Sequence, residues 1–136
     1  GDHLTVKEGT KVDMGGNKII NVAAGTADTD AVNVGQVNAA LNTVNQNITN
    51  LGNKLSEVGN ESKAGSASAI ATANLPQSTI PGMAMTTVGL GTYDGQSAIA
   101  VGLSKMSDNG KWVIKASATT NTQGKVGAGV GVGFHW

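Results

Sequence analysis

The sequence predicts a membrane β-barrel that several chains build around an α-helical coiled coil, and three observations predict it. Apolar residues recur in an unbroken heptad through the middle of the chain. The last third changes to a two-residue period over four segments of about ten residues each. Glycine then takes every second residue of the last segment, all on one side.

Composition excludes several other classes. The 136 residues include 20 glycines and only 3% aromatics, with nine basic and nine acidic side chains and a formal net charge of zero. Neither a large aromatic core nor a polyanion-binding surface is expected, so nucleic acid is not an expected partner. With no cysteine there is no disulfide framework and no thiolate metal site. No run of about 18 apolar residues occurs, so no transmembrane helix is expected. The chain opens on polar sequence at Gly1-Asp2-His3. An export signal is therefore expected further towards the N-terminus, and the chain is read as part of a longer protein.

The first zone, residues 1–33, is rich in Gly, Thr, Asp and Asn, and short apolar runs such as Ile19-Ile20-Asn21-Val22 interrupt it. It reads as strands, turns and loops. The heptad follows over residues 34–75. Val34, Val37, Leu41, Val44, Ile48, Leu51, Leu55 and Val58 alternate spacings of three and four, which is the a/d seam of a left-handed coiled coil. Asp30 is the expected N-cap and Pro76 the expected stop. Most positions between seam residues are Asn, Gln, Thr, Gly or Ala, so the helix is weak alone and needs neighbours. A single amphipathic helix on a globular core would use a wider apolar stripe. Continued in register, the seam becomes Ser62, Gly65, Ala69 and Thr72, within the small-residue stretch Ala64-Gly65-Ser66-Ala67-Ser68-Ala69. Either the helix frays here before a loop, or it passes through a confined space.

After a linker at 76–82, residues 83–136 carry the two-residue period. Turn signals separate its segments at Tyr93-Asp94-Gly95-Gln96, Ser107-Asp108-Asn109-Gly110 and Asn121-Thr122-Gln123-Gly124. One face takes Val88, Leu90, Ile99, Val101, Leu103, Ile114, Val130 and Val132. The other takes Gly89, Gly91, Gly102, Gly127, Gly129, Gly131 and Gly133. A transmembrane strand needs about 9–11 residues with an apolar lipid face and interfacial aromatics. Trp112, Phe134 and Trp136 stand near strand ends on the apolar side, where Lys105 is the only charge. A soluble meander with one buried face would instead carry bulky charged residues on its other face. Glycine there calls for something large approaching closely.

Four strands cannot close a barrel, and lipid does not tolerate an open edge. At a strand spacing of ~4.8 Å and a tilt of ~40°, two chains give a diameter of roughly 16 Å, three roughly 24 Å and four roughly 32 Å. Helices about 10 Å across do not fit in pairs inside the first. Bundled in threes they need about 21 Å, which leaves room on the second wall for Gly, Ala and Ser alone. Four chains would call for bulky inward residues. The expectation is a 12-stranded barrel from three chains, four strands each, with three helices in the lumen.

The sequence is similar to the trimeric autotransporter adhesins with a YadA-like C-terminal anchor. Asn17-Lys18-Ile19-Ile20-Asn21-Val22-Ala23-Ala24-Gly25, followed by Asp30-Ala31-Val32-Asn33-Val34-Gly35-Gln36-Val37, resembles the neck between a wide head and a narrow stalk. Val37 stands where Leu is common. The coiled coil, the four strands and the terminal Gly-Phe-His-Trp resemble stalk and anchor. The resemblance implies that residues 1–33 are a head and neck remnant, 34–75 the stalk and intra-barrel helix, and 83–136 the anchor. It implies a homotrimer in the lipid of a bacterial outer membrane, fixing and exporting at the cell surface an N-terminal passenger that binds host matrix or cells. Trp136 matches the terminal aromatic that the barrel-assembly machinery recognises. Gly65 and its Ala and Ser neighbours match the segment where the chain turns back during export. The alternative is a trimeric outer-membrane or fibre protein without an export role.

An enzyme is not expected, and neither a cofactor nor a metal. His3 and His135, the only histidines, are far apart in sequence. Gly89-Leu90-Gly91-Thr92-Tyr93-Asp94-Gly95 misses the dinucleotide spacing by one residue and precedes a strand, not a helix.

Overall fold

The computed structural model describes residues 2–136, and the chain forms two compact units, Gly1–Thr49 and Asn50–Trp136. Its elements are helix α1 (Val34–Ala73) and strands β1 (Ala84–Tyr93), β2 (Gln96–Met106), β3 (Trp112–Asn121) and β4 (Val126–Phe134).

In the first unit, turns and extended chain precede the helix, and among the described residues no strand forms before β1. The strands expected in residues 1–33 are therefore absent: a short apolar run such as Ile19-Ile20 has no ladder partner within one chain. The expected cap also moves. Asn33, not Asp30, caps α1: its Oδ1 accepts the Gln36 N–H at 2.9 Å, and Gln36 Oε1 accepts the Asn33 N–H at 3.2 Å. This reciprocal capping box satisfies two donors at the helix start. Asp30 serves the preceding turn instead, accepting the N–H groups of Thr26 and Ala27 at 2.9 Å each.

In the second unit, α1 ends at Ala73, just ahead of Pro76, which disfavours helical backbone in the residue before it. The strands form an antiparallel meander in the order β1-β2-β3-β4. The Asp-Gly turn closes β1 onto β2 with positive φ at Asp94 (44°) and Gly95 (84°), the geometry that matches strand twist. Side chains alternate along β2, where Ala98, Ala100, Gly102 and Ser104 are buried and Ile99, Val101 and Leu103 exposed. The buried core comprises Ala67 and Ala71 of the helix, Leu75 just beyond it, and Ala98 and Ala100 of β2. Alanines together with Leu75 thus hold helix to sheet, and the large apolar residues Ile99, Val101 and Leu103 of β2 point away from it.

Candidate functional site

The helix lies on the strand backbone. A Cβ added at Gly89 would strike the Ala71 carbonyl oxygen, and one at Gly91 would strike the Ala67 carbonyl oxygen and reach the Ala71 nitrogen at 2.6 Å. At Gly102 it would meet Thr87 Oγ1 at 2.7 Å and Leu75 Cδ1 at 3.1 Å. The glycines of β4 share this inner face in a different setting. Gly127 has Thr119 Cγ2 at 3.1 Å and Gly129 has Ser117 Oγ at 3.9 Å, while Gly131 and Gly133 have nothing within 4 Å. One chain fills the glycine wall along β1 and β2 and leaves it open along β4.

The helix meets the wall with Ala64, Ala67 and Ala71, all fully buried. The continued seam positions Ser62, Gly65 and Ala69 are exposed. At 100° per residue the two faces lie about 160° apart around the axis. Gly65 has open space at its Cβ position. Ser66 Oγ donates back to the Ser62 carbonyl at 3.3 Å, and Ser68 Oγ accepts Asn121 Nδ2 at 3.0 Å. The upstream seam from Val34 to Val58 is 43–75% exposed, a continuous apolar stripe with no cover from its own chain.

Polar contacts fix both ends of this helical segment. Lys63 pairs with Asp94 of the β1–β2 turn at 2.9 Å, and Lys125 before β4 pairs with Glu61 at 3.6 Å. At the other end, Lys115 Nζ donates to the Leu75 carbonyl at 3.0 Å, and the buried Ser78 N–H donates to Ser104 Oγ at 2.7 Å. Sheet cover on the helix therefore starts near Glu61, some 13 residues before the helix ends at Ala73. Ten tilted strand residues rise only ~25 Å, and the non-helical stretch after Ala73 takes part of that height. Sequence reasoning missed Lys115, although a lone charge among inward-phased small residues was a visible signal.

Trp112 and Phe134 are register partners on the outward face, with ring centroids 4.6 Å apart and planes at 44°. Trp136 lies beyond β4 and is fully exposed. The His135 N–H donates to the Lys111 carbonyl at 2.6 Å, so pairing runs one residue past the strand.

The neck is a second site. Gln36 grips Gly25 from both sides, with Oε1 accepting its N–H at 3.0 Å and Nε2 donating to its carbonyl at 2.9 Å. Asn33 Nδ2 donates to the Val22 carbonyl at 3.0 Å. A Cβ at Gly25 would meet the Ala31 carbonyl at 2.6 Å. Hydrogen bonds from the backbone of Ala27 and Thr26 hold the Asp30 carboxyl below its ordinary value. Among the described residues no three His, Cys, Asp or Glu side chains gather as a metal site, and no helix is long and apolar enough to cross a membrane.

A meander with a charge-poor apolar outside and a helix seated on its glycine inside defines an anchor of the β-barrel class. The chain belongs to the trimeric autotransporter adhesins. Residues 76–136 match the YadA-like membrane anchor domain, and residues 18–60 match the coiled stalk of trimeric autotransporter adhesin. The whole chain is 40% identical to the autotransporter adhesin NhhA of Neisseria meningitidis, of which it spans 22%. Over 90% of its length it is 40% identical to the autotransporter adhesin EhaG of Escherichia coli O157:H7, spanning 8% of that protein. Identity to the trimeric autotransporter adhesin AtaA of an Acinetobacter species is 29% over 88% of the chain and 3% of that protein. Membership locates the anchor in the bacterial outer membrane, as the export domain of such adhesins, a family not known as enzymatic.

Proposed function

We propose that three copies close a twelve-stranded barrel around three helices, and that this anchor exports and then holds a passenger that binds host matrix or cells. The observation that carries this reading is the opposition of the helix faces. Ala64, Ala67 and Ala71 rest on the chain's own wall, so the seam points away from it, towards where sister helices would stand. The sheet ends at β1 and β4, whose outer backbone groups need partners in lipid, and joining copies edge to edge supplies them. The open glycines Gly131 and Gly133 would then receive a neighbour's helix. The mass of the detergent-solubilised complex tests the count, and one or two chains per particle would refute it.

Trp136, exposed beyond β4, is assigned as the signal read by the barrel-assembly machinery. Deleting it should lower the amount of trimer in the outer membrane, and unchanged levels would remove that role. Gly65 is assigned as the export bend, with Ala64, Ser66, Ala67, Ser68 and Ala69 as its small-residue surroundings, because a residue without Cβ accepts dihedrals that others do not. Open space at Gly65 separates this reading from packing within the chain. Gly65→Asn should reduce surface display per heat-resistant trimer, whereas Ala67→Leu should weaken the trimer itself. A normal display ratio in Gly65→Asn would take Gly65 out of the export path.

A further inference from the structure

Lys105 is the one charged residue among the outward-facing positions of the four strands. Its register partners are Ala84 on β1 and Ile114 on β3, whereas the aromatic pair Trp112 and Phe134 occupies the next outward rung beyond. The cation therefore springs from the backbone one rung, roughly 7 Å, to the membrane side of the aromatics. It is exposed, and among the described residues no carboxylate pairs with it. A lipid-facing lysine costs ~2–4 kcal/mol at mid-membrane and ~0–1 near the interface. Its flexible stem lets Nζ reach back to the headgroup level. Beside it the small side chains of Ala84 and Ala116 leave an outward groove of about 480 Å³ between Leu103, Ile114 and Val130.

We propose that Lys105 and this groove bind one glycerophospholipid of the periplasmic leaflet, its phosphate on Nζ and an acyl chain along Leu103, Ala116 and Val130. The leaflet follows from the direction of the helix. Going N-terminally, α1 leaves the sheet at the Asp94 and Lys125 turns, towards the passenger. Lys105 lies at the opposite end, with the 107–110 turn and Trp136, which is the periplasmic side. Charge complementarity selects the headgroup: an anionic lipid offers its phosphate without a competing amine, so phosphatidylglycerol should be held in preference to phosphatidylethanolamine. The proposal rests on the barrel reading, in which this face meets lipid.

Native mass spectrometry of the full chain, solubilised in detergent and titrated with either lipid, tests it. Wild-type protein should retain phosphatidylglycerol over phosphatidylethanolamine. Lys105→Gln should weaken phosphatidylglycerol retention about fivefold, while Lys105→Arg and Lys111→Gln keep it. No headgroup preference in the wild type would overturn the site without any variant, and so would equal retention by Lys105→Gln. Preferential capture of the lipid A phosphates of the outer leaflet would overturn it too. The same spectra count chains per particle, so lipid bound by a single chain would sink the trimer and leave the site standing.

Discussion

A methyl group separates the wall glycines from the helix glycines. At Gly91 it would enter the backbone of Ala67 and Ala71, and because the sheet fixes one side and the helix ladder the other, neither yields cheaply. Overpacking of this kind costs ~1–3 kcal/mol. Gly91→Ala should therefore lower the temperature at which the detergent-solubilised oligomer dissociates. Gly52→Ala, with nothing within 4 Å of its Cβ position, should raise helix stability by up to ~1 kcal/mol. Equal responses at the two sites would remove the wall contact from the account. Asp30 yields a pH test. Its carboxyl is held low by the amides of Ala27 and Thr26, so its contribution is present above the ordinary carboxylate range and is lost as pH falls through the lowered folded value. Acidification below about pH 4 should shift the Thr26 and Ala27 amide resonances together, and Asp30→Asn should abolish that step. The sequence exposed the wall glycines because their alternation has no other use. It did not expose the division of labour at the neck, because Asp30 and Asn33 are both good caps by type, and the Gln36 partner three residues on decides for Asn33.

Strand boundaries were legible because each is punctuated: Asp94-Gly95, Asn109-Gly110 and the turn at Gly124 all carry the positive φ that ends a ladder. The helix was legible from its seam, but which side of it would meet the sheet was not. Small residues surround Gly65 on every face, and only the fold shows Ala64, Ala67 and Ala71 turned inwards. The ion pairs between helix and turns could not be read either, since Lys63 and Asp94 are brought together by register across distant sequence. These pairs have opposite polarity, the helix offering an acid to Lys125 and a base to Asp94. Exposed pairs contribute only ~0–1 kcal/mol each, yet a wrong seating would bring like charges together. Lys63→Glu should therefore increase protease access to the helix just outside the sheet, and the swap Lys63→Glu with Asp94→Lys should restore protection. High salt should blunt both effects. A swap no better than the single change would show that side-chain packing alone seats the helix.

At the scale of the molecule, one chain is visibly incomplete. Lipid can cover the outward strand face, but the seam, the open β4 glycines and the two sheet edges need protein. These demands differ in strength. The edges and the wall lie wholly in residues 61–136, where unpaired backbone in lipid leaves no alternative to closure. The stalk offers the Val34–Val58 seam on a helix otherwise rich in Asn, Gln, Thr and Gly, whose helicity depends on neighbours. The anchor should therefore set the number of chains and the stalk follow it. Residues 61–136, inserted without the stalk, should still form a heat-resistant complex of three in detergent. Residues 2–60, free in solution at micromolar concentration, should be monomeric with low helix content by circular dichroism. Anchoring the same segment to the barrel raises its effective concentration to the millimolar range, and there the seam should close. A stalk piece that trimerises alone, beside an anchor piece that does not, would reverse this order and make the seam the determinant of chain number.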